Sequence, residues 1–205
     1  MIPFPKKKYN IIYSDPAWTF KVYSDKGKGR SAENHYKISS LEDMKKLPVS
    51  NIAKDDCILF MWATYPNLKE AFELISSWGF EYKTVAFTWV KKNKKTDSFF
   101  FGLGYWTRAN PEICLLATKG KPKRVSKSVR NLVISKIGNH SEKPKEIRDY
   151  IEELCGKLPR IELFARDKPK GWDVWGNEVS LDTKQDGGNG IPPTNKLVGI
   201  LPKVL

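Results

Sequence analysis

Metal-binding side chains are scarce in this chain. Cysteine occurs three times, at Cys57, Cys114 and Cys155, and histidine twice, at His35 and His140. They lie far apart, and no C-x-x-C or H-x-x-x-H spacing is present, which argues against a zinc finger or ribbon. An odd number of cysteines in apolar stretches predicts three reduced core thiols rather than a disulfide framework. No run of about 18 apolar residues occurs, so no membrane-spanning helix is expected. The charged start, Met1 to Lys8, has no apolar stretch of signal-peptide length behind it. A cytoplasmic protein is therefore expected, or a nuclear one if the host has a nucleus. No glycine-rich phosphate loop follows an early strand. Gly102-Leu103-Gly104 lacks the strand–loop–helix setting such a loop needs. Acidic residues are also in short supply: 23 against 36 lysines and arginines, a net charge of +13. That imbalance favours a polyanionic partner, nucleic acid first.

What is present reads as one α/β domain. A chain of 205 residues is long enough for a substantial core. Tyr9 to Tyr13 is a short apolar run, expected to be a buried strand. Ser39-Ser40-Leu41-Glu42-Asp43 resembles a capping box and predicts a helix to about Leu47, before Pro48. Asp56 to Ala63 is apolar on both faces, as a central strand is. After Pro66, the residues Leu68, Ala71, Phe72, Ile75 and Trp78 fall at helical spacing on a core face, and Gly79 ends that helix. Glu81 to Val90, Pro111 to Lys119, Val129 to Ile134 and Arg160 to Arg166 read as further strands. Lys145 to Cys155 reads as a helix closed by Gly156. Trp172 to Glu178 is a short strand or turn. Strands alternating with helices indicate a layered α/β fold. From Ser180 the composition shifts to glycine, proline and polar residues. The domain is expected over residues 1–179, with a tail over 180–205 outside it.

The tetrapeptide Asp15-Pro16-Ala17-Trp18 follows the first strand. Ligands of open α/β sheets bind at the carboxyl ends of strands. There, the Asp15 carboxylate and the Pro16 carbonyl can each accept a hydrogen bond from an amino group. The Trp18 ring offers a stacking face worth on the order of 1–3 kcal/mol per base. A plain turn followed by a core aromatic remains the alternative.

Two basic stretches suit nucleic acid. Lys26, Lys28 and Arg30 alternate with glycine in a polar stretch, which reads either as a phosphate-contacting loop or as an ordinary surface loop. Lys91, Lys92, Lys94 and Lys95 precede Phe99-Phe100-Phe101-Gly102-Leu103-Gly104-Tyr105-Trp106, with Arg108 behind. These cations can meet phosphates while the aromatics stack on or wedge between bases. A hairpin with inward-packed aromatics is equally open. Lys121, Lys123 and Arg124 extend the basic candidates.

Asp15-Pro16-Ala17-Trp18 resembles the Asp-Pro-Pro-Trp signature of amino-methyltransferases, with Ala17 in place of the second proline. Further stretches match one family in order. They are Trp89-Val90-Lys91, then Cys114 to Gly120. Next come His140-Ser141-Glu142-Lys143-Pro144, Ile161-Glu162-Leu163-Phe164-Ala165-Arg166, and Gly176-Asn177-Glu178. Over residues 9–179 the chain is similar to the adenine methyltransferase family named after the seventy-kilodalton MT-A subunit, which has bacterial and phage members. The resemblance implies a Rossmann-like, S-adenosylmethionine-dependent methyltransferase. Its sheet would be mixed and mostly parallel, with helices on both faces and the motif order permuted so that the catalytic motif comes first. It implies methylation of the exocyclic amino group of adenine in nucleic acid, with DNA favoured over RNA and cytosine disfavoured, and no metal. A non-catalytic binding subunit is the alternative from another class. Asp15, Pro16, Ala17 and Trp18 would form the catalytic motif. The family pattern places Lys143, Glu162, Phe164, Arg166, Asn177 and Glu178, with Asp15, around the cofactor. The family's adenine pocket also draws on residues upstream of the catalytic strand. Only fourteen residues precede Asp15 here, so that wall is shortened or supplied by Ile2 to Pro5.

Overall fold

The computed structural model describes residues 3–18, 40–104, 106–138 and 142–176. In chain order its elements begin with β1 (Tyr9–Ser14), α1 (Leu41–Lys45), α2 (Val49–Ile52) and β2 (Ala53–Ala63). A 3-10 turn (Tyr65–Asn67) leads into α3 (Leu68–Ser77) and β3 (Glu81–Lys92). Then come β4 (Glu112–Lys119), β5 (Leu132–Lys136), α4 (Glu146–Cys155), β6 (Arg160–Leu163) and β7 (Asp173–Trp175). The seven strands form one sheet in the order β5-β3-β4-β2-β1-β6-β7. β4 runs antiparallel to both its neighbours, and every other pairing is parallel. The sheet is thus mixed and mostly parallel, as expected.

Alternation along the central strands builds two cores. Ile12, Leu59, Met61 and Leu115 point to one face, where Met44 of α1, Val49 and Ile52 of α2, and Ala71, Leu74 and Ile75 of α3 cover them. Ile11, Tyr13, Phe60, Trp62, Phe87 and Cys114 point to the other, under Ile147, Ile151 and Cys155 of α4. Side chains of period two on a strand buried on both faces give this division directly. The three cysteines are buried free thiols. Burial raises all three, Cys57 and Cys155 to about 12.

Local signals set most element ends. The Ser40 hydroxyl accepts the Asp43 backbone N–H at 3.1 Å and caps α1. Gly79 and Gly156 take positive φ and stop α3 and α4. The differences from the sequence reading are specific. Phe72 is 39 % exposed and packs edge-on against Tyr82 rather than in the core. β5 begins at Leu132, where pairing with Thr88 of β3 sets the register, not at Val129. β6 ends at Leu163 and does not continue to Arg166, because Phe164 takes φ +61°, a left-handed conformation that no strand continues.

One ion pair ties the second face together. Arg148 on α4 grips Glu162 on β6 with two bonds, Nε to Oε2 at 2.7 Å and Nη2 to Oε1 at 3.0 Å. The same nitrogen reaches Asp167 at 2.8 Å. Glu162 is only 7 % exposed, so its charge depends on this fork. Removing one partner of a buried pair costs more than removing both. Arg148→Gln is expected to lower stability by roughly 3–5 kcal/mol, and R148Q/E162Q by less than either single change. Urea unfolding of the three variants checks both.

Candidate active site

The strand order reverses between β1 and β6. From β1 the chain moves to β2 on one side, and it returns as β6 on the other. Such a switch point leaves a crevice at the carboxyl ends of the strands. Ser14 and Leu163 are register partners, so Asp15 and Phe164 leave neighbouring strand ends, about 4.8 Å apart across the ladder. Two motifs separated by some 150 positions therefore face one crevice. Arg166 lies close enough to help hold the Asp15 carboxyl down.

A line of alternating charges crosses this end of the sheet. Lys143 Nζ lies 2.8 Å from Asp15 Oδ2 and 3.4 Å from Glu112 Oε2. Lys91 Nζ lies 2.5 Å from Glu112 Oε1. Aromatic faces flank both ammonium groups: Lys143 stands 5.6 Å from the Trp62 ring centre and Lys91 5.1 Å from that of Trp89. Burial works against the Lys143 charge, but Asp15 and Glu112 outweigh it and raise its pKa. Burial pushes the Asp15 carboxyl up, further than Lys143 pulls it down, and the nearby Glu112 charge adds to the rise. Burial also penalises Glu112, yet Lys143 and Lys91 hold it below the ordinary glutamate range. Beneath, Trp62 Nε1 donates to the Tyr13 hydroxyl at 2.6 Å.

The tetrapeptide Asp15-Pro16-Ala17-Trp18 differs in one respect from its expected form. Trp18 is 6 % exposed and belongs to the core on the α3 side. Its indole N–H donates to the Trp62 carbonyl at 2.9 Å. It braces the turn from within and presents little open face to a base. The Pro16 carbonyl accepts the Trp18 backbone N–H at 2.9 Å, and a carbonyl has a second lone pair for another donor. Ala17 makes no side-chain bond that could replace the rigidity of a proline.

Around the other lip, Phe164 meets Trp175 edge-on at 5.7 Å, and Phe4 meets the same indole at 5.1 Å. Phe4 of the N-terminal segment thus packs into this aromatic cluster. The Ser14 hydroxyl is buried here without a hydrogen-bond partner among the described residues. An aromatic cluster, an orphaned hydroxyl, Arg166 and the Asp15–Lys143 pair fit a group with a purine, a ribose and an amino-acid end. Glu162 stands one layer back, with Arg148 on both its oxygens. Burial raises its pKa. Asn177 and Glu178 lie outside the described residues, as does the tail 180–205.

The basic candidates separate into groups. Lys91 is paired with Glu112 and belongs to the partly buried charge line, not to a phosphate surface. Lys92 pairs with Asp97 at 2.7 Å. Lys94, Lys95 and Arg108 are exposed on the arm between β3 and β4. Lys121, Lys123 and Arg124 are exposed at the opposite end of the sheet. There the Lys121 N–H donates to Asp56 near the start of β2, a full strand length from Asp15. The antiparallel course of β4 carries them away, which no local pattern announces. Lys26, Lys28 and Arg30 lie outside the described residues. Among the described residues no helix is long and apolar enough to cross a membrane. No group of three or more His, Cys, Asp or Glu side chains there could hold a metal.

Glu112 and Arg148 escaped the sequence reading. Glu112 opens an apolar strand, and an acid there resembles any solvated strand end until the partner strand is known. Arg148 sits next to a core position of α4 and looks like an ordinary surface charge.

Comparison with known proteins agrees with this geometry. The MT-A70 family model matches residues 9–178. Type II methyltransferase M.MunI of Mycoplasma is 40 % identical over 192 residues, covering 85 % of this chain and 79 % of that protein. The human N(6)-adenosine-methyltransferase catalytic subunit METTL3 is 27 % identical over 188 residues, covering 91 % of this chain and 30 % of the longer protein. The Drosophila melanogaster N(6)-adenosine-methyltransferase MT-A70-like protein is 26 % identical over 188 residues, 91 % of this chain and 28 % of its own length. With the switch-point crevice, the Asp15–Lys143 pair and a family match over most of its length, the chain belongs to the MT-A70 family.

Proposed function

We propose that this chain transfers a methyl group from S-adenosylmethionine to the exocyclic amino nitrogen of adenine in DNA. One observation carries the reading. The 2.8 Å pair between Lys143 and Asp15 joins the Asp-Pro-Ala-Trp and His-x-x-Lys-Pro motifs, 128 positions apart, at the mouth of the switch-point crevice. The 40 % identity to a type II methyltransferase of Mycoplasma over most of both chains supports DNA as substrate, and we assign the protein to the cytoplasm of a bacterial or phage-infected cell.

The amino nitrogen of adenine is a poor nucleophile because its lone pair is delocalised into the ring. Asp15 and the Pro16 carbonyl can accept one amino hydrogen each and draw the nitrogen toward tetrahedral geometry. Lys143 holds Asp15 Oδ2, so Oδ1 is the acceptor we assign to the base. S-adenosylmethionine supplies an electrophilic methyl group when bound. Positive charge then grows on the amino nitrogen beside the Asp15 carboxylate. A carboxyl raised by burial is also suited to take the proton the methylated nitrogen loses. Rate comes from positioning and from polar groups fixed in advance. We assign Phe164 and Arg166, with Asp15 and Lys143, to the cofactor side of the crevice. Glu162 lies behind them, and Asn177 and Glu178 extend the set. Ala17 and Trp18 complete the catalytic turn. Lys94, Lys95 and Arg108, with Lys26, Lys28 and Arg30, are the phosphate contacts we favour near the target base. Lys92 stands at the foot of the same arm. Lys121, Lys123 and Arg124 suit only phosphates remote from it.

Labelled-methyl transfer to DNA and RNA tests the reading. Wild type is expected to label DNA, with Asp15→Ala and Lys143→Met each reduced roughly 10²–10³-fold. Incorporation by D15A equal to wild type removes Asp15 from the mechanism, and preferential labelling of RNA removes DNA.

A pH profile tests the charge line. Asp15 must be ionised to accept from the base, and its pKa is raised. So kcat/KM is expected to fall with acid from above the ordinary aspartate value of about 3.9. Glu112→Gln removes a negative neighbour, which favours the ionised Asp15 and moves that limb to lower pH.

A further inference from the structure

Among the described residues, the arm between β3 and β4 gathers four exposed large apolar side chains, Phe99, Phe101, Leu103 and Trp106. It is anchored to the backbone of Lys91, whose side chain belongs to the charge line of the site. The Asn110 side chain bonds both the N–H and the carbonyl of Lys91, at 2.9 Å each. The Phe100 N–H donates to the Lys91 carbonyl at 2.9 Å. Gly102 N–H to the Ala109 carbonyl, 2.7 Å, closes the stalk. Beyond it, a Cβ on Gly104 would lie 2.0 Å from the Thr107 carbonyl, so the tip is folded tightly upon itself.

That tip holds apolar groups out into water. Trp106 is 91 % exposed, Leu103 72 % and Phe101 67 %. Trp106 also has φ +69°, a strained conformation for a bulky residue. So large an apolar area left in water is unfavourable by itself. Exposed cations share the arm, at Lys94, Lys95 and Arg108. Flat aromatics among cations fit the faces of bases and the phosphates between them.

The catalytic geometry creates a need for such a group. An adenine in a duplex presents its amino nitrogen inside the stack. It must rotate out to reach Asp15, which leaves a gap and an unpaired partner base. From these observations we propose that Trp106 enters the DNA stack beside the extruded adenine, with Leu103 packing against the same step, and so holds the base in the crevice. The proposal rests on DNA adenine being the substrate.

The test uses the full chain and a duplex carrying a site mapped from methylated adenines in DNA of expressing cells. Two forms are compared, one with the target adenine paired to thymine and one with it opposite an abasic position. Trp106→Ala is expected to lower kcat/KM on the paired site roughly tenfold or more, the scale of one lost base–aromatic stack. On the unpaired site the loss shrinks to less than about threefold, because little extrusion cost remains. Trp106→Phe falls between. With 2-aminopurine as target, the fluorescence rise on binding wild type is lost in W106A. Equal losses on both duplexes, or no loss on either, overturn the proposal. Absence of methyl transfer by wild type on both duplexes would instead sink the underlying reading. Trp106 is exposed, so an unchanged melting temperature in W106A is the expected sign that folding is intact.

Discussion

The site depends on one partly buried ammonium group placed between two carboxylates. Lys143 meets Asp15 at 2.8 Å and Glu112 at 3.4 Å. Burying two acids at the end of a sheet is costly unless a cation answers them. Lys143 answers both, and Lys91 takes up the remaining oxygen of Glu112. The aromatic faces of Trp62 and Trp89 favour cations at these two places while excluding water. Asp15 is thereby kept in one orientation, in an environment where its interactions are less screened than in water.

The surrounding fold delivers these groups by three routes. β1 ends at Ser14 and releases Asp15 into the switch point. β4 runs antiparallel to its neighbours, which places Glu112, its first residue, at the same end as the last residues of β2 and β3. The segment leading into α4 carries Lys143, and the Arg148 fork fastens α4 to β6. A shift in strand order or in the seat of α4 would separate the charges. Trp18 reinforces the first route from the core side by tying the turn after Asp15 to the Trp62 carbonyl.

Much of this was legible in the chain itself. Apolar alternation at Tyr9 to Tyr13 and the apolar block ending at Ala63 marked the central strands. Ser40 and the glycines at 79 and 156 marked helix ends through local backbone chemistry. The ordered stretches from Asp15 to Gly176 pointed to the family. Other features were hidden for physical reasons. A tryptophan after a turn has the same letter whether its ring faces a ligand or the core. Only the position of the Trp62 carbonyl decided that for Trp18. A lysine among lysines reads as surface, yet Lys91 is spent on Glu112.

By itself, then, the sequence determined the elements, their apolar faces, the thiol state and the residue types gathered for chemistry. Each of these follows from short-range rules of backbone conformation and burial. The tertiary structure decided which charges meet. It joined Lys143 to Asp15 across 128 positions, sent Lys121 to Arg124 to the far end of the sheet, and left Trp106 exposed on the arm between β3 and β4. Those outcomes depend on strand order, strand direction and the packing of α4, which are settled by the whole core at once.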